Sequence, residues 1–253
     1  MATIREKTWI WGHPKDSLAD KFGLPAGNDA TPVEGMKYLG AKNVFWVPQG
    51  TSYYDPMEES ALMQKECKNF GWCIYKQADA KKIIEMHEKF PSYKICIYDD
   101  FFSDENISNY KTITVEELMN LKKELNEAGM ELWMVHYERF MHFDLTDWLP
   151  CFDGISFWFW YQSTEEEYHK TVKEFIARTP GKKRLIGCYL YDFGREKICN
   201  PDLVETELNN DVELIKQGLV EGIILHTNAV SGFGYEGYER AAKWMKENGD
   251  REI

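Results

Sequence analysis

The chain lacks most of the features that mark membrane proteins and nucleic-acid-binding proteins. No apolar stretch approaches the roughly 18 to 20 residues that a spanning helix needs, and the opening MATIREKTW has no apolar signal-peptide region. No stripe of lysine and arginine offsets the formal net charge of -12, which repels phosphate backbones and anionic lipid surfaces. We therefore expect neither nucleic acid nor a membrane as a partner. We expect a cytoplasmic location, or a secreted one if a leader has been removed.

Short motifs for metals and nucleotides are also missing. The six cysteines form no CxxC pair and no zinc-like spacing, and Cys96 and Cys188 fall inside predicted strands, where a thiol is usually a small core residue. The sequence has no HxH after the first predicted strand, no HExxH, no GxGxxG and no GxxxxGK[ST] loop. We therefore predict reduced, structural cysteines, no bound metal and no cofactor.

What the chain does contain is one repeated pattern, an apolar strand-like run followed by an amphipathic helix-like run, which occurs eight times. Eight such units in about 250 residues are what a closed (β/α)8 barrel requires. The predicted strands are Thr8–Gly12, Asn43–Val47, Gly71–Tyr75, Lys94–Tyr98, Glu131–Tyr137, Gly154–Trp160, Arg184–Tyr191 and Gly222–Thr227. Because 43% of the residues are hydrophobic and no linker or low-complexity tract interrupts them, the sequence predicts a single-domain TIM barrel over residues 1–253.

Helix-start signals support this alternation. Thr114, with Glu117 three residues later, predicts a capped helix, and further helices are predicted after Thr164 and from Pro201. Each of them leads directly into a predicted strand, which is the order that right-handed βα crossovers need. Between residues 137 and 153 the pattern predicts at most a short helix.

Four carboxyl groups follow predicted strands, at the end of the barrel that carries the chemistry in this fold. Asp99 and Asp100 end the fourth strand, Glu138 the fifth and Asp192 the seventh. Because the fourth and seventh strands lie nearly opposite, we predict that Asp100 and Asp192 form an acid/base and nucleophile pair for glycosidic cleavage, with retention favoured. Asp99 is either a second functional group or a partner that holds the backbone. Glu138 is either a third catalytic candidate or the ion-pair partner of Arg139.

Alternation along the fourth strand selects Asp100 over its neighbour. Successive strand residues point alternately into the barrel and toward the helices. Ile95 and Ile97 suit the helix side. This assignment sends Cys96, Tyr98 and Asp100 into the barrel, although a register change of one residue would exchange Asp100 for its neighbour.

Aromatic and polar residues in or just after the strands predict a sugar ligand, either a small molecule or an oligosaccharide. An indole face stacks on the apolar face of a pyranose ring while its N–H finds a polar partner. Trp158 and Trp160 are the strongest tryptophans, since they share one strand face with Ser156 and Gln162. The predicted substrate-binding residues are Trp11, His13, Gln49, His136, Trp158, Trp160, His226 and Asn228.

Two other functions remain open. The mixture of histidines and carboxylates at the strand ends also fits a divalent-metal sugar isomerase or epimerase. A barrel that only binds carbohydrate would keep the same aromatic and acidic residues, because fold does not imply function. A catalyst differs from a binder in needing one carboxyl in an apolar setting and another in a polar one.

Several short motifs also carry a family resemblance. They are Trp9-Ile-Trp-Gly-His13, Tyr98-Asp-Asp-Phe-Phe102, Phe157-Trp-Phe-Trp160, Gly187-Cys-Tyr-Leu-Tyr-Asp-Phe-Gly194 and Glu221-Gly-Ile-Ile-Leu225. In these motifs the chain resembles a group of largely uncharacterised bacterial glycoside-hydrolase-like (β/α)8 barrel proteins. The resemblance implies this fold and a carbohydrate ligand, and it places Asp99, Asp100 and Asp192 at the acidic positions of the group. More distantly, the chain resembles glycosidases in which an Asn-Glu pair commonly ends the fourth strand, where this chain has two aspartates.

Overall fold

The computed structural model describes residues 1–14, 30–47, 56–74, 78–102 and 113–253. Its barrel strands are β1 (Thr8–Gly12), β2 (Asn43–Trp46), β3 (Asn69–Ile74), β4 (Tyr93–Tyr98), β5 (Glu131–Tyr137), β6 (Gly154–Trp158), β7 (Lys183–Tyr189) and β10 (Gly222–His226). These eight strands are parallel and close in the order β1-β10-β7-β6-β5-β4-β3-β2. The predicted (β/α)8 barrel is therefore confirmed. The short strands β8 (Tyr191–Asp192) and β9 (Lys197–Ile198) form a separate antiparallel pair after β7.

Helices cover the outside of the barrel. They are α1 (Ile4–Lys7), α2 (Pro32–Leu39), α3 (Pro56–Glu66), α4 (Ala80–Lys89), α5 (Val115–Glu127), α6 (Glu165–Arg178), α7 (Pro201–Lys216) and α8 (Glu236–Asn248). The segment from β5 to β6 has only two short 3-10 turns, as the sequence predicts. Across the described ranges, no helix is both long enough and apolar enough to cross a bilayer.

The predicted helix starts are confirmed by their caps. Thr114 and Glu117 form a capping box at the start of α5, and Thr164 caps α6 in the same way. Each box satisfies backbone N–H groups that the first helical turn leaves without a partner. Pro201 is the first residue of α7, where its missing N–H has no consequence. These local signals explain why the alternation of elements could be read directly from the chain.

Inside the barrel, large aromatic residues fit against glycines on the next strand. A Cβ added to Gly154 would overlap the ring of Trp133 on β5, and one added to Gly187 would overlap the ring of Trp158 on β6. Trp11 on β1 meets Trp158 across the barrel at a centroid separation of 5.5 Å. These contacts identify the inward-facing side of each strand.

The predicted faces of β4 are wrong. Ile97 lies in register with Trp133, whose ring fills the barrel interior, so Ile97 also faces inward. Tyr98 points outward and lines a groove together with Ile113 and Leu118 of the helix layer. The error has a physical cause: the interior of a (β/α)8 barrel is a packed apolar core, so isoleucine suits either face.

Candidate functional site

Two tyrosines and one aspartate meet at the C-terminal mouth of the barrel. Tyr137, the last residue of β5, donates its hydroxyl to Oδ1 of Asp100 at 3.0 Å. Tyr189, the last residue of β7, brings its hydroxyl close to that of Tyr137. The ends of β5 and β7 and the turn after β4 therefore bring these three side chains together at the mouth.

A tight turn brings Asp100 to this position. β4 ends at Tyr98, and Asp100 has a φ of 47°, in the left-handed region that aspartate tolerates better than most residues. Oδ1 of Asp99 accepts the backbone N–H of Asp100 at 3.0 Å, and Asp99 itself is only 8% exposed. Asp100 thus reaches the mouth because the backbone turns after the strand, while Asp99 holds that turn.

Three carboxyl groups act on the hydroxyl of Tyr189. Burial raises the pKa of Tyr189 well above its ordinary value, and nearby negative charge raises it further. The residues that supply this charge are Asp100, Asp99 and Glu138. The carboxyl groups that follow β4 and β5 therefore all contribute negative charge at the Tyr189 hydroxyl.

Glu138 has a different environment from Asp100. It is half-buried, and its Oε2 accepts the backbone N–H of Trp160 at 2.7 Å. Burial raises the pKa of the Glu138 carboxyl, although the Trp160 N–H and the charge of Arg139 oppose that shift. Asp100, by contrast, is exposed and accepts a hydroxyl hydrogen bond. The site therefore has one carboxyl that burial favours in its protonated form and one that is open to solvent.

Aromatic rings form the floor and one wall of the mouth. Trp158 is 2% exposed, and its ring lies 5.2 Å from Tyr189 and 5.8 Å from His226. Its Nε1–H donates to Ser156 at 3.0 Å, so these two residues share a face as predicted. Trp160 lies beyond the end of β6, is partly exposed, and has its ring 5.6 Å from that of Tyr137. Of the two predicted tryptophans, Trp160 is the one open to a ligand.

Two histidines meet where β1 and β10 end. The Nε2 atoms of His13 and His226 are 3.3 Å apart. Asn228 holds the backbone of His13 through two hydrogen bonds of 2.8 Å each and is fully buried. Asn228 therefore positions His13. In the described part of the chain, no group of three or more histidine, cysteine, aspartate or glutamate side chains is placed to hold a metal ion.

Asp192 is engaged in its own loop. Its Oδ1 accepts the backbone N–H of Arg195 at 2.9 Å, and its Oδ2 accepts the Arg195 guanidinium at 3.0 Å and the backbone N–H of Gln162 at 3.4 Å. The side chain is fully buried. The described hydrogen bonds of Asp192 thus join the loops after β6 and β7. Its pairing with Asp100 across the mouth stays a prediction.

Two other predicted residues, His136 and Trp11, are not brought to the mouth. His136 points to the helix layer, with its ring 5.4 Å from Phe102 and 6.1 Å from Phe157. Phe157 in turn stacks on Phe175 of α6 at 4.2 Å, which places this cluster outside the barrel wall. Gln49 lies outside the described residues. Trp11 is 3% exposed and packs in the barrel interior beneath Trp158.

Sequence reasoning missed Tyr137, Tyr189 and Arg139. A usable signal for the tyrosines was strand parity. Tyr137 is four residues after Trp133, and Tyr189 is two residues after Gly187, so each shares the inward face of its strand. No comparable signal existed for Arg139, because its surroundings come from three separate aromatic side chains.

No protein family model and no curated protein sequence matches this chain. Solved structures do match it. A chitinase from Chromobacterium violaceum has a TM-score of 0.58 at 10% identity, covering 96% of this chain and 98% of its own. The spore cortex-lytic enzyme SleL of Bacillus megaterium has a TM-score of 0.59 at 7% identity, covering 100% and 75%.

A tryptophan synthase alpha-subunit from Pyrococcus furiosus is similar to the same degree. Its TM-score is 0.58 at 10% identity, and 98% of each chain is covered. The structural neighbours of this protein thus include glycoside hydrolases and an enzyme of different chemistry, all of them TIM barrels. At such low identity the likeness shows the fold alone.

Proposed function

We propose that this protein is a glycoside hydrolase whose active site is the C-terminal mouth of the barrel, with Asp100 and Glu138 as the reacting carboxyl pair. The observation that carries the proposal is the contrast between these two groups, which both act on Tyr189. Burial raises the pKa of Glu138, whereas Asp100 is exposed and accepts a hydrogen bond from Tyr137. Two carboxyl groups with opposed environments are the requirement for glycosidic cleavage.

In this mechanism Glu138 is the general acid. It transfers its proton to the glycosidic oxygen as the bond from that oxygen to the anomeric carbon breaks. Asp100, oriented by Tyr137, either attacks the anomeric carbon or removes a proton from the attacking water. Water supplies the new hydroxyl on the sugar, and its remaining proton returns the carboxyl pair to its starting state. Asp99 holds the turn that presents Asp100.

The surrounding residues fit a sugar ligand. Trp160 offers a partly exposed indole beside Tyr137, and the paired His13 and His226 place ring nitrogens next to the Trp158 ring. A chitinase and a spore cortex-lytic enzyme among the structural neighbours also support a carbohydrate substrate. Asp192 is assigned a positioning role, because both of its oxygens already accept hydrogen bonds. The cytoplasmic location stays a prediction.

Substitution of the two carboxyl groups tests the pair on a panel of aryl glycosides. Asp100→Asn keeps the shape but removes the charge, so we expect kcat to fall by about a hundredfold or more for every substrate that the wild type hydrolyses. Glu138→Gln removes the acid, so kcat should fall most for glycosides with poor leaving groups and least for those releasing 4-nitrophenolate. Asp250→Asn is the matched control. Asp250 is an exposed aspartate paired with Arg5, far from the mouth, and its substitution should leave kcat unchanged.

Full turnover in both active-site variants would contradict the pair. Activity that is abolished by a chelator and restored by a divalent ion would support the metal-dependent isomerase or epimerase instead. A wild type that binds glycosides without cleaving them, with an affinity that both substitutions leave unchanged, would identify a non-catalytic binding barrel.

A further inference from the structure

Arg139 stands at the mouth with its guanidinium surrounded by aromatic rings. Its guanidinium carbon lies 4.5 Å from the ring centre of Trp160, 4.7 Å from that of Phe140 and 5.5 Å from that of Tyr137. The residue is exposed. Cation–π contacts of this kind hold the position of the group while leaving its N–H edges open to solvent.

Arg139 differs from every other arginine of the chain in its hydrogen bonds. The sequence has seven arginines, and six of them donate to a carboxylate, a carbonyl or a hydroxyl oxygen of the protein. No described residue accepts a hydrogen bond from the guanidinium of Arg139 or forms an ion pair with it. Arginine has five N–H donors in a planar fork and no acceptor. The donors of Arg139 are therefore available to a ligand.

The position of Arg139 connects it to the proposed reaction. It follows Glu138 directly in the chain, and its charge opposes the rise of the Glu138 pKa that burial causes. Tyr137, which the guanidinium contacts, donates to Asp100. A ligand held by the two carboxyl groups would lie within reach of Arg139.

The negative charge around Arg139 indicates what kind of ligand this cation serves. The chain has a net charge of -12, and the mouth itself contains Asp99, Asp100 and Glu138. Such a surface repels an anionic ligand unless a cation is placed to receive it. Arg195, which follows β8, does not serve this purpose, because it forms an ion pair with Asp192 at 3.0 Å.

We propose that Arg139 binds an oxyanion carried by the sugar, so that the protein acts on acidic glycosides in preference to neutral ones. The planar fork of the guanidinium matches a carboxylate or a sulfate group through two parallel hydrogen bonds. The inference rests on the proposed glycoside hydrolase function and names its substrate class. Trp160 and Phe140 fix the guanidinium, and the substrate supplies the acceptor that the protein does not.

Binding to matched acidic and neutral sugars tests the proposal. The Asp100→Asn variant is used so that turnover does not consume the probe. Isothermal titration compares trigalacturonate with its full methyl ester, and a 6-O-sulfated N-acetylglucosamine disaccharide with its unsulfated parent. We expect at least one acidic probe to bind about tenfold or more tightly than its neutral partner, with a preference that weakens as salt is added. Which acidic probe binds identifies the oxyanion.

Three further variants assign the preference to one side chain. Arg139→Gln should lower affinity for the acidic probe by about tenfold and leave the neutral probe unchanged. Arg139→Lys keeps the charge but loses the planar fork, so its affinity for the acidic probe should lie between that of the protein with Arg139 and that of Arg139→Gln. Arg251→Gln is the control, since this arginine pairs with Asn248 at the end of α8. Circular dichroism checks that each variant is folded.

Equal binding of acidic and neutral members of both pairs would overturn the inference, as would an acidic preference that survives Arg139→Gln. Neither result bears on the proposed hydrolase, which is judged separately from turnover of neutral and acidic glycosides by the wild type. Hydrolysis of neutral glycosides alone would keep the proposed function and reject the acidic substrate class.

Discussion

His136 shows how one residue can be placed correctly in a strand and wrongly in a site. Its ring is fully buried between β5 and the helix layer, and both of its nitrogens lack a hydrogen-bond partner among the described residues. Burial, with the nearby Arg178 and His142, lowers the pKa of His136 to about 3. The imidazole is therefore neutral in the folded protein at any ordinary pH.

The stability of the protein should consequently fall in mild acid. As the pH falls, a histidine whose pKa is lowered by folding binds its proton first in the unfolded state. Its contribution to the unfolding free energy is therefore complete above about pH 6.5 and is lost as the pH falls toward the pKa of the folded state. His136→Phe and His136→Leu remove this titration. Between about pH 7.5 and about pH 4.5, the wild type should lose about 2 to 3 kcal/mol more unfolding free energy than either variant.

Urea denaturation at the two pH values measures this difference. At the higher pH the histidine is neutral in both states, so the difference between variant and wild type there reports the change in packing alone. His169→Gln, an exposed histidine on α6, is the control and should follow the wild type at both. If the difference in unfolding free energy between the His136 variants and the wild type is the same at both pH values, the imidazole is protonated or hydrated in the native state.

At the scale of one element, α7 carries an acidic pair on its buried side. Asp211 is fully buried and accepts a short hydrogen bond from the hydroxyl of Tyr168 on α6. Burial raises the pKa of Asp211 well above its ordinary value. Burial and the charge of Asp211 raise the pKa of Glu207, which lies one turn earlier in the helix. Two adjacent buried carboxyl groups cannot both ionise without strong repulsion.

The contribution of α7 to stability should therefore fall as the pH rises from mildly acidic to mildly alkaline values. A carboxyl whose pKa is raised by folding keeps its proton in the native state, so its contribution is present at low pH and is lost as the pH rises above the unfolded value of about 3.9. Asp211→Asn keeps an acceptor for Tyr168 and removes one charge. We expect this variant to lose less unfolding free energy than the wild type between about pH 5 and about pH 9, by about 2 kcal/mol.

Thermal and urea unfolding across this range measure the difference. Asp202→Asn, in the exposed first turn of the same helix, provides the matched control, because it removes an aspartate that is paired only with Arg240 at the surface. Parallel pH profiles for Asp211→Asn and the wild type would mean that Asp211 is ionised in the folded protein.

At the scale of the whole molecule, the barrel interior and the mouth form one packed unit. Trp158 fills the space above Gly187 and also contacts Tyr189, whose hydroxyl lies beside that of Tyr137 at the mouth. Close-packed interiors transmit displacement because neighbouring side chains have no room to absorb it. A substitution beneath Trp158 should therefore affect both the stability of the barrel interior and the activity at the mouth.

Gly187→Ala introduces a methyl group where the Trp158 ring lies. We expect it to lower the unfolding free energy by about 1 to 3 kcal/mol through overpacking and to reduce kcat by displacing Tyr189. Trp158→Phe in the same chain should recover part of both losses, since it removes the ring atoms that the methyl group meets. Additive effects of the two substitutions in urea denaturation would show that they do not interact.

The order and type of the elements follow from the sequence alone. Helix caps such as Thr114 and Thr164 are local properties of the sequence. So is the spacing of apolar residues, with a period of two in strands and 3.6 in helices, and any fold of this chain must satisfy both. β1 and β5 have the predicted bounds, while β6 and β7 end two residues early, so that Trp160 lies beyond β6 and Asp192 lies in the short strand β8. Strand ends are less certain from sequence because an apolar run continues into a buried loop.

By itself, then, the sequence determined a closed barrel with carboxyl groups at its C-terminal mouth, because both conclusions need only periodicity and position along the chain. Only the tertiary structure decided which side chains meet there. The barrel interior and the helix layer are both apolar, so polarity did not separate Ile97 from Tyr98 or reveal that His136 points outward. The turn that brings Asp100 to Tyr137 depends on one left-handed residue and a partner on another strand. Contacts between residues so distant along the chain exist only once the barrel has closed.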